Sequence, residues 1–176
     1  MRLACASLVA VGAVVAVVAC APPDKGELVR AQTTRATLTS FESAGVGAVF
    51  EKHCGSLDCH GTTARNLRIY SANGLRLPND AGLLPGQGDT THDERLANYH
   101  SILSLEPEAT NRVLEGGDPY TLLVLRKPLQ IESHKGGQPI RRGDDAERCI
   151  VTWLEESPAA PVDGNACTLA SAFPKE

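Results

Sequence analysis

Two cysteines and a histidine lie close together in the segment Cys54-Gly55-Ser56-Leu57-Asp58-Cys59-His60-Gly61. Two thiols followed directly by an imidazole are typical of covalent haem attachment. In that chemistry each thiol adds to a vinyl group of the porphyrin, and the adjacent histidine becomes an axial ligand of the iron. The segment therefore predicts that Cys54 and Cys59 hold one haem and that His60 is its proximal ligand.

Two other chemistries use the same side chains. A cysteine pair at this separation can form a local disulfide in an oxidising compartment. Two thiolates and a histidine can also contribute to a zinc site. Neither alternative requires a histidine directly after Cys59, so the pattern favours haem.

The N-terminus has the pattern of an export signal. Met1-Arg2 is followed by an apolar run to Ala19 that is too short and too rich in alanine for a membrane span. The run ends at Val17-Val18-Ala19-Cys20, which resembles the lipobox of bacterial lipoproteins. We therefore expect a lipoprotein signal peptide over residues 1–19 and lipidation of Cys20, which would anchor the protein to a membrane. The alternative is an ordinary secretory signal that is cleaved nearby.

The rest of the chain is long enough for one domain. Residues 20–40 are predicted to be a flexible linker, residues 41–157 the domain, and residues 158–176 a C-terminal tail. The chain has 17 basic and 21 acidic residues, a net charge of −4, which argues against nucleic acid as a partner. Aromatic residues make up only 4% of the chain, so a bulky apolar cofactor would supply volume that the side chains lack.

Helical periodicity predicts a mainly α fold with long loops rich in glycine and proline. Asp118 and Pro119 are suited to begin the third helix, as its cap and first residue. We expect Trp153 of the last helix to contact Phe50 and Gly47 of the first. The predicted helices cover residues 44–52, 92–105, 118–127 and 144–155.

Four cysteines remain after the one in the signal and Cys20 are set aside. If Cys54 and Cys59 hold haem, Cys149 and Cys167 can form a disulfide that fixes the C-terminal tail to the last helix. Two disulfides satisfy the same count, so the number of cysteines does not separate the alternatives.

The only methionine is Met1, which leaves with the signal, so the mature chain cannot supply a methionine ligand to haem. A second axial ligand from this chain would be a histidine. His134 is favoured because it begins His134-Lys135-Gly136-Gly137, where small residues let the backbone approach a flat macrocycle. Two histidine ligands would give a lower reduction potential than histidine and methionine.

Other polar residues are weaker candidates for the same site. His53, His92 and His100 are alternative distal ligands, but His53 adjoins the attachment loop on the wrong side, and His92 and His100 also fit surface histidines. Arg65, Arg68 and Arg76 could pair with haem propionates or simply form a solvated face.

The stretch from Gly47 to Cys54, with the Cys-Cys-His-Gly run, resembles the N-terminal helix and attachment loop of class I cytochromes c. The last helix resembles their C-terminal helix, and the four-residue cysteine spacing resembles that of some haems in multihaem cytochromes. The run Leu122-Leu123-Val124-Leu125-Arg126-Lys127-Pro128-Leu129, with the His134 motif, is similar to cytochrome c-like domains of planctomycetes and myxobacteria. The resemblance covers residues 46–156 and implies a small helical domain with one covalent haem c.

These features predict a monohaem c-type cytochrome-like lipoprotein that carries single electrons in the bacterial cell envelope, facing the periplasm or the cell surface. Its expected partners are a redox protein and, through the lipid anchor, a membrane. It is expected to be an electron carrier and not an enzyme. A cofactor-free binding or scaffolding lipoprotein stabilised by disulfides is one alternative, and a haem enzyme or sensor with an open sixth iron position is another.

Overall fold

The computed structural model describes residues 34–78 and 82–172. The expected signal peptide, Cys20 and most of the expected linker lie outside these residues. The described chain is mainly helical, which confirms the prediction of a mainly α fold, and its only β-structure is two isolated bridges. No described helix is both long and apolar enough to cross a membrane. The helices are α1 (Leu38–Ser43), α2 (Val46–Cys54), α3 (His92–Leu103), α4 (Pro107–Leu114), a 3₁₀ turn (Pro119–Thr121), α5 (Leu123–Arg126), α6 (Asp145–Leu154) and α7 (Gly164–Ser171).

Side-chain caps fix where the predicted helices begin. Asp144 accepts from the backbone N–H of Glu147 at 2.8 Å and caps α6. Asp118 caps the 3₁₀ turn as predicted, but the segment 118–127 is divided instead of forming one helix. The division occurs at Leu122, whose backbone is extended (φ −82°, ψ 140°). The N–H of Leu123, the first residue of α5, therefore has no helical acceptor and donates to the carboxylate of Glu106 at 2.6 Å.

Three described helices were not predicted. α1 lies partly within the stretch expected to be linker, because Thr37 accepts the N–H of Ser40 at 3.1 Å and Phe41 is fully buried. α4 begins at Pro107, which we had interpreted only as the end of the preceding helix; proline also suits a first helical position. α7 occupies much of the expected C-terminal tail.

An aromatic cluster joins α1, α2 and α6 in the core. The ring of Trp153 lies 6.4 Å from Phe50, as predicted, and 5.3 Å from Phe41, measured between centroids. The atoms nearest to a side chain at Gly47 belong to Phe41, and the expected contact of Trp153 with Gly47 stays a prediction. A Cβ at Gly47 would lie 2.9 Å from Cε1 of Phe41, so the glycine makes room for that ring.

α7 packs against α2 and α6. A disulfide joins Cys149 of α6 to Cys167 of α7, and both residues are fully buried. Lys52, near the end of α2, donates to the carbonyl of Ala170 at 3.0 Å and to that of Ala172. The C-terminal segment is therefore fixed both to the last long helix and to the helix that carries Cys54.

A buried ion pair holds the loop before α3. Arg76 donates from Nε and Nη2 to the two carboxylate oxygens of Glu94, at 2.8 and 3.0 Å, and Glu94 is fully buried. Arg76 also donates to the carbonyls of Gln87 and Asp89, at 2.7 and 2.9 Å. The suggestion that Arg76 pairs with a haem propionate is therefore wrong, because its donors are committed inside the protein.

Candidate functional site

The segment between the two cysteines forms a compact turn at the end of α2. The carbonyl of Cys54, the last residue of α2, accepts the N–H of His60 at 2.9 Å. The carbonyl of Ser56 accepts the N–H groups of Cys59 at 3.0 Å and Gly61 at 2.9 Å. These bonds place the imidazole directly after a closed loop, close to the helix end.

Close backbone contacts explain the glycines of this turn. The carbonyl oxygen of Gly55 accepts a hydrogen bond from Oγ of Ser71 at 2.7 Å. A Cβ at Gly61 would lie 2.2 Å from that oxygen, and a Cβ at Gly74 would lie 2.0 Å from it. Neither position can carry a side chain unless the backbone moves.

The His60 ring is oriented by a main-chain hydrogen bond. Its Nδ1 lies 3.0 Å from the carbonyl oxygen of Leu67. A carbonyl only accepts, so Nδ1 donates, and the neutral ring then has its lone pair at Nε2. Burial lowers the pKa of His60, and the nearby charges of His134 and Arg65 lower it further against the opposing effect of the Leu67 bond. The neutral imidazole that a metal requires is thus favoured.

His134 lies in a tight turn of its own. Its Nδ1 donates to the carbonyl of Gly137 at 2.9 Å, while the N–H of Gly137 donates back to the His134 carbonyl at 3.1 Å. Gly137 has φ +75°, which glycine adopts without strain. A Cβ at Gly136 would lie only 3.0 Å from Cε1 of the His134 ring.

The structure brings the rings of His60 and His134 together. Their centroids are 6.2 Å apart and their planes differ by 8°. A metal–imidazole bond is about 2.0–2.1 Å, and a ring nitrogen lies about 1.1 Å from its centroid, so two imidazoles on opposite sides of one metal ion have centroids about 6.2–6.4 Å apart. Ordinary aromatic pairs also occur at this separation. The bonded Nδ1 atoms add a second feature, since metal-bound histidines almost always donate their other ring nitrogen in this way.

The other three candidate histidines use their rings elsewhere. Nε2 of His53 lies 3.1 Å from the carbonyl oxygen of Ala170. Nδ1 of His92 lies 2.8 Å from Oε1 of Glu42. His100 packs its ring on Tyr99, with the centroids 5.3 Å apart. Among the described residues, none of the three has a ring contact with His60.

The two cysteines of the segment differ in exposure. Cys54 is 8% exposed, and Cys59 is half-buried. Neither forms a disulfide, and burial, with the nearby Cys59, raises the pKa of Cys54 to about 12. Structural zinc sites use four ligands. The described part of the chain contains no group of three or more His, Cys, Asp or Glu side chains arranged to hold a metal ion.

A large exposed apolar side chain precedes each of the two histidines in the sequence. Leu57 is 55% exposed and Ile131 is 51% exposed, and each precedes one of the two histidines by three residues.

A separate cavity of about 530 Å³ lies between α2 and the loop before α3. Its lining includes Gly47, Glu51 and Arg95, but neither His60 nor His134. Thr90 donates to Glu51 at 2.5 Å, and burial raises the pKa of Glu51 despite this bond. This cavity is distinct from the histidine pair.

No protein-family model matches the chain, and neither curated proteins nor solved structures show significant similarity to it. Function must therefore be argued from the residues of the site. Its main features are the cysteine turn at the end of α2 and the parallel pair of His60 and His134, each oriented by a backbone carbonyl.

Proposed function

We propose that this protein is a c-type haem protein of the cell envelope that carries single electrons. Cys54 and Cys59 bind the porphyrin, His60 is the proximal ligand and His134 the distal ligand. The observation that carries the proposal is the parallel arrangement of the two imidazoles, with centroids 6.2 Å apart and both Nδ1 atoms bonded to backbone carbonyls.

The hydrogen bonds at Nδ1 support this assignment chemically. They select the ring tautomer whose Nε2 can donate an electron pair, and they hold each ring in a fixed orientation. Both acceptors are main-chain carbonyls, of Leu67 and Gly137, which do not titrate. When bound, haem supplies one-electron oxidation and reduction. The chain's part is to attach and orient it.

The ligand set also predicts the direction of the reduction potential. Two imidazoles lack the thioether that raises the potential of histidine–methionine cytochromes, so we expect a lower value. Arg65 is close enough to His60 to lower the pKa of its ring, which makes Arg65 the arginine best suited to pair with a propionate.

The envelope location rests on other residues. The apolar N-terminus and Cys20 support export and lipid anchoring, with the domain on the periplasmic or outer side of a membrane. The Cys149–Cys167 disulfide is compatible with such an oxidising compartment. A redox protein would then supply or accept the electron.

The alternative is a cofactor-free lipoprotein in which Cys54 and Cys59 form a second disulfide. One experiment separates the two functions. The full chain is produced in a host with cytochrome c maturation, and its visible spectrum and denatured mass are measured. A pyridine haemochrome with the mass of one added haem is expected. Colourless protein with the mass of oxidised cysteines would overturn the proposal and favour the alternative.

Matched histidine variants test the ligands. His60→Ala should abolish the stable low-spin spectrum. His134→Ala should convert the haem from six-coordinate low-spin to high-spin, while His100→Ala, whose ring does not contact His60, should leave the spectrum unchanged. An unaltered spectrum in His134→Ala would mean that the sixth position is open or filled by another group.

Electron paramagnetic resonance tests the ring geometry directly. Parallel axial imidazoles give a rhombic low-spin ferric signal, whereas perpendicular rings give a highly anisotropic one. Because the planes of His60 and His134 differ by only 8°, we expect the rhombic signal. A highly anisotropic signal would contradict this pairing of the rings.

A further inference from the structure

The turn that begins at His134 holds the imidazole by contacts within the turn itself. We infer that this turn locks His134 as a permanent distal ligand, with Gly136 as its positioning residue, so that small external ligands are kept from the sixth iron position. The inference rests on the proposed function and adds that His134 is displaced too rarely for the site to bind a gas or substrate tightly.

Two reciprocal hydrogen bonds close the turn. The ring Nδ1 of His134 donates to the carbonyl of Gly137 at 2.9 Å, and the N–H of Gly137 donates to the carbonyl of His134 at 3.1 Å. Both the main chain and the side chain of His134 are thereby fixed to Gly137. The ring cannot rotate away without breaking its own bond to the backbone.

Gly136 occupies the space beside the imidazole. A Cβ there would lie 3.0 Å from Cε1 of His134, which is closer than carbon atoms normally pack, and 3.5 Å from Nε2, which is ordinary van der Waals contact. Gly136 is not among the described glycines with positive φ, so alanine is compatible with its backbone. The effect of Gly136→Ala should therefore fall on the imidazole and not on the conformation of the turn.

The surrounding segment is anchored at both ends. Lys127 donates to the carbonyl of Ser133 at 2.9 Å and pairs with Glu132 at 2.5 Å. Leu129 and Ile140, on either side of the turn, are 5% and 0% exposed. The turn therefore lies near the surface, but the chain on either side of it is held in the core by Leu129 and Ile140.

Such anchoring limits how often His134 leaves its position. An external ligand binds only when the imidazole is displaced, so its apparent affinity falls in proportion to the displaced fraction; a fraction of about 1% weakens binding about 100-fold. An enzyme or sensor needs the opposite property. A locked turn therefore favours electron transfer over the alternative with an open sixth position.

The test uses carbon monoxide as a probe of the reduced, haem-loaded full chain. Wild type is expected to bind it weakly, and Gly136→Ala to bind it at least about tenfold more tightly, which corresponds to about 1.4 kcal/mol of lost preference for His134. Gly164→Ala is the matched control, since a Cβ at Gly164 would meet nothing within 4 Å, and it should behave as wild type.

A second variant loosens the turn without touching the ring. Lys127→Met keeps the aliphatic chain but removes the donor to Ser133, and it should also increase carbon monoxide affinity. If both variants bind carbon monoxide as wild type does, while wild type contains low-spin haem, the locking role is wrong and the proposed function stands. If wild type contains no haem, the proposed function itself fails.

Discussion

Removal of the Arg76 side chain tests the buried ion pair before α3. In Arg76→Met, Glu94 loses two hydrogen bonds of 2.8 and 3.0 Å, and the carbonyls of Gln87 and Asp89 lose theirs. Glu94 keeps two backbone donors, Thr91 and Leu77, each at 2.9 Å. Breaking a buried pair from one side costs about 3–5 kcal/mol, and the retained donors place the expected loss near the lower limit, at about 3–4 kcal/mol.

Urea unfolding at neutral pH, followed by circular dichroism, measures this loss as a lower midpoint with an unchanged slope. The melting temperature should fall by about 10–15 °C. Arg148→Met is the control, because Arg148 is 48% exposed and its pairs with Asp145 and Asp163 lie at the surface. That control should cost less than about 1 kcal/mol.

The effect should also depend on pH. Burial alone would raise the pKa of Glu94, but hydrogen bonds from Arg76, Thr91 and Leu77 outweigh it and leave the pKa below the model-compound value of 4.5. A lowered pKa in the folded state stabilises the fold above the unfolded pKa, and this contribution is lost as the pH falls through the folded value. The difference between wild type and Arg76→Met should therefore shrink below pH 4.5. Equal stabilities at neutral pH, or a difference that grows in acid, would refute the reasoning.

Two further substitutions test the packing of the core. Gly47→Ala places a Cβ 2.9 Å from Cε1 of Phe41 and should destabilise the fold by about 1–3 kcal/mol in urea unfolding; an unchanged midpoint would mean that the ring moves aside freely. Replacement of both Cys149 and Cys167 by alanine opens a disulfide that spans 18 positions and should cost about 3 kcal/mol by the same measurement. A loss below about 1 kcal/mol would show that helix packing, and not the covalent bond, holds α7.

The sequence allowed parts of this fold and site to be predicted because their signals are local. The start of α6 is set by its cap, Asp144, and the apolar spacing that identifies the helix lies within the next ten residues. The tight turn at His134 could be predicted because Gly136 and Gly137 follow the histidine directly. Gly136 makes room for the imidazole, a role that the sequence did not indicate, and the expected close approach to a macrocycle stays a prediction.

Other features depend on contacts between distant residues. Arg76 was expected either to pair with a haem propionate or to lie on a solvated face, since nothing near it in the sequence indicates that Glu94, 18 residues later, will be buried against it. The acceptors at Leu67 and Gly137 are carbonyls, which every residue has, so no residue type could indicate them. α7 has few large apolar residues, so no local pattern predicts it. Lys52 and His53 of α2 form hydrogen bonds with the carbonyl of Ala170 in α7, and the sequence near Ala170 does not indicate these bonds.

The carbonyl oxygen of Gly55 has a consequence for protein engineering. Because Gly61 and Gly74 both approach it too closely for a Cβ, and Ser71 donates to it, the turn is completed by residues well beyond His60. A graft that transfers only the two cysteines and the histidine to another scaffold would omit all three of these contacts. A graft should therefore extend from Cys54 to at least Gly74, and sequence libraries built on this protein should keep Gly55, Gly61 and Gly74 fixed.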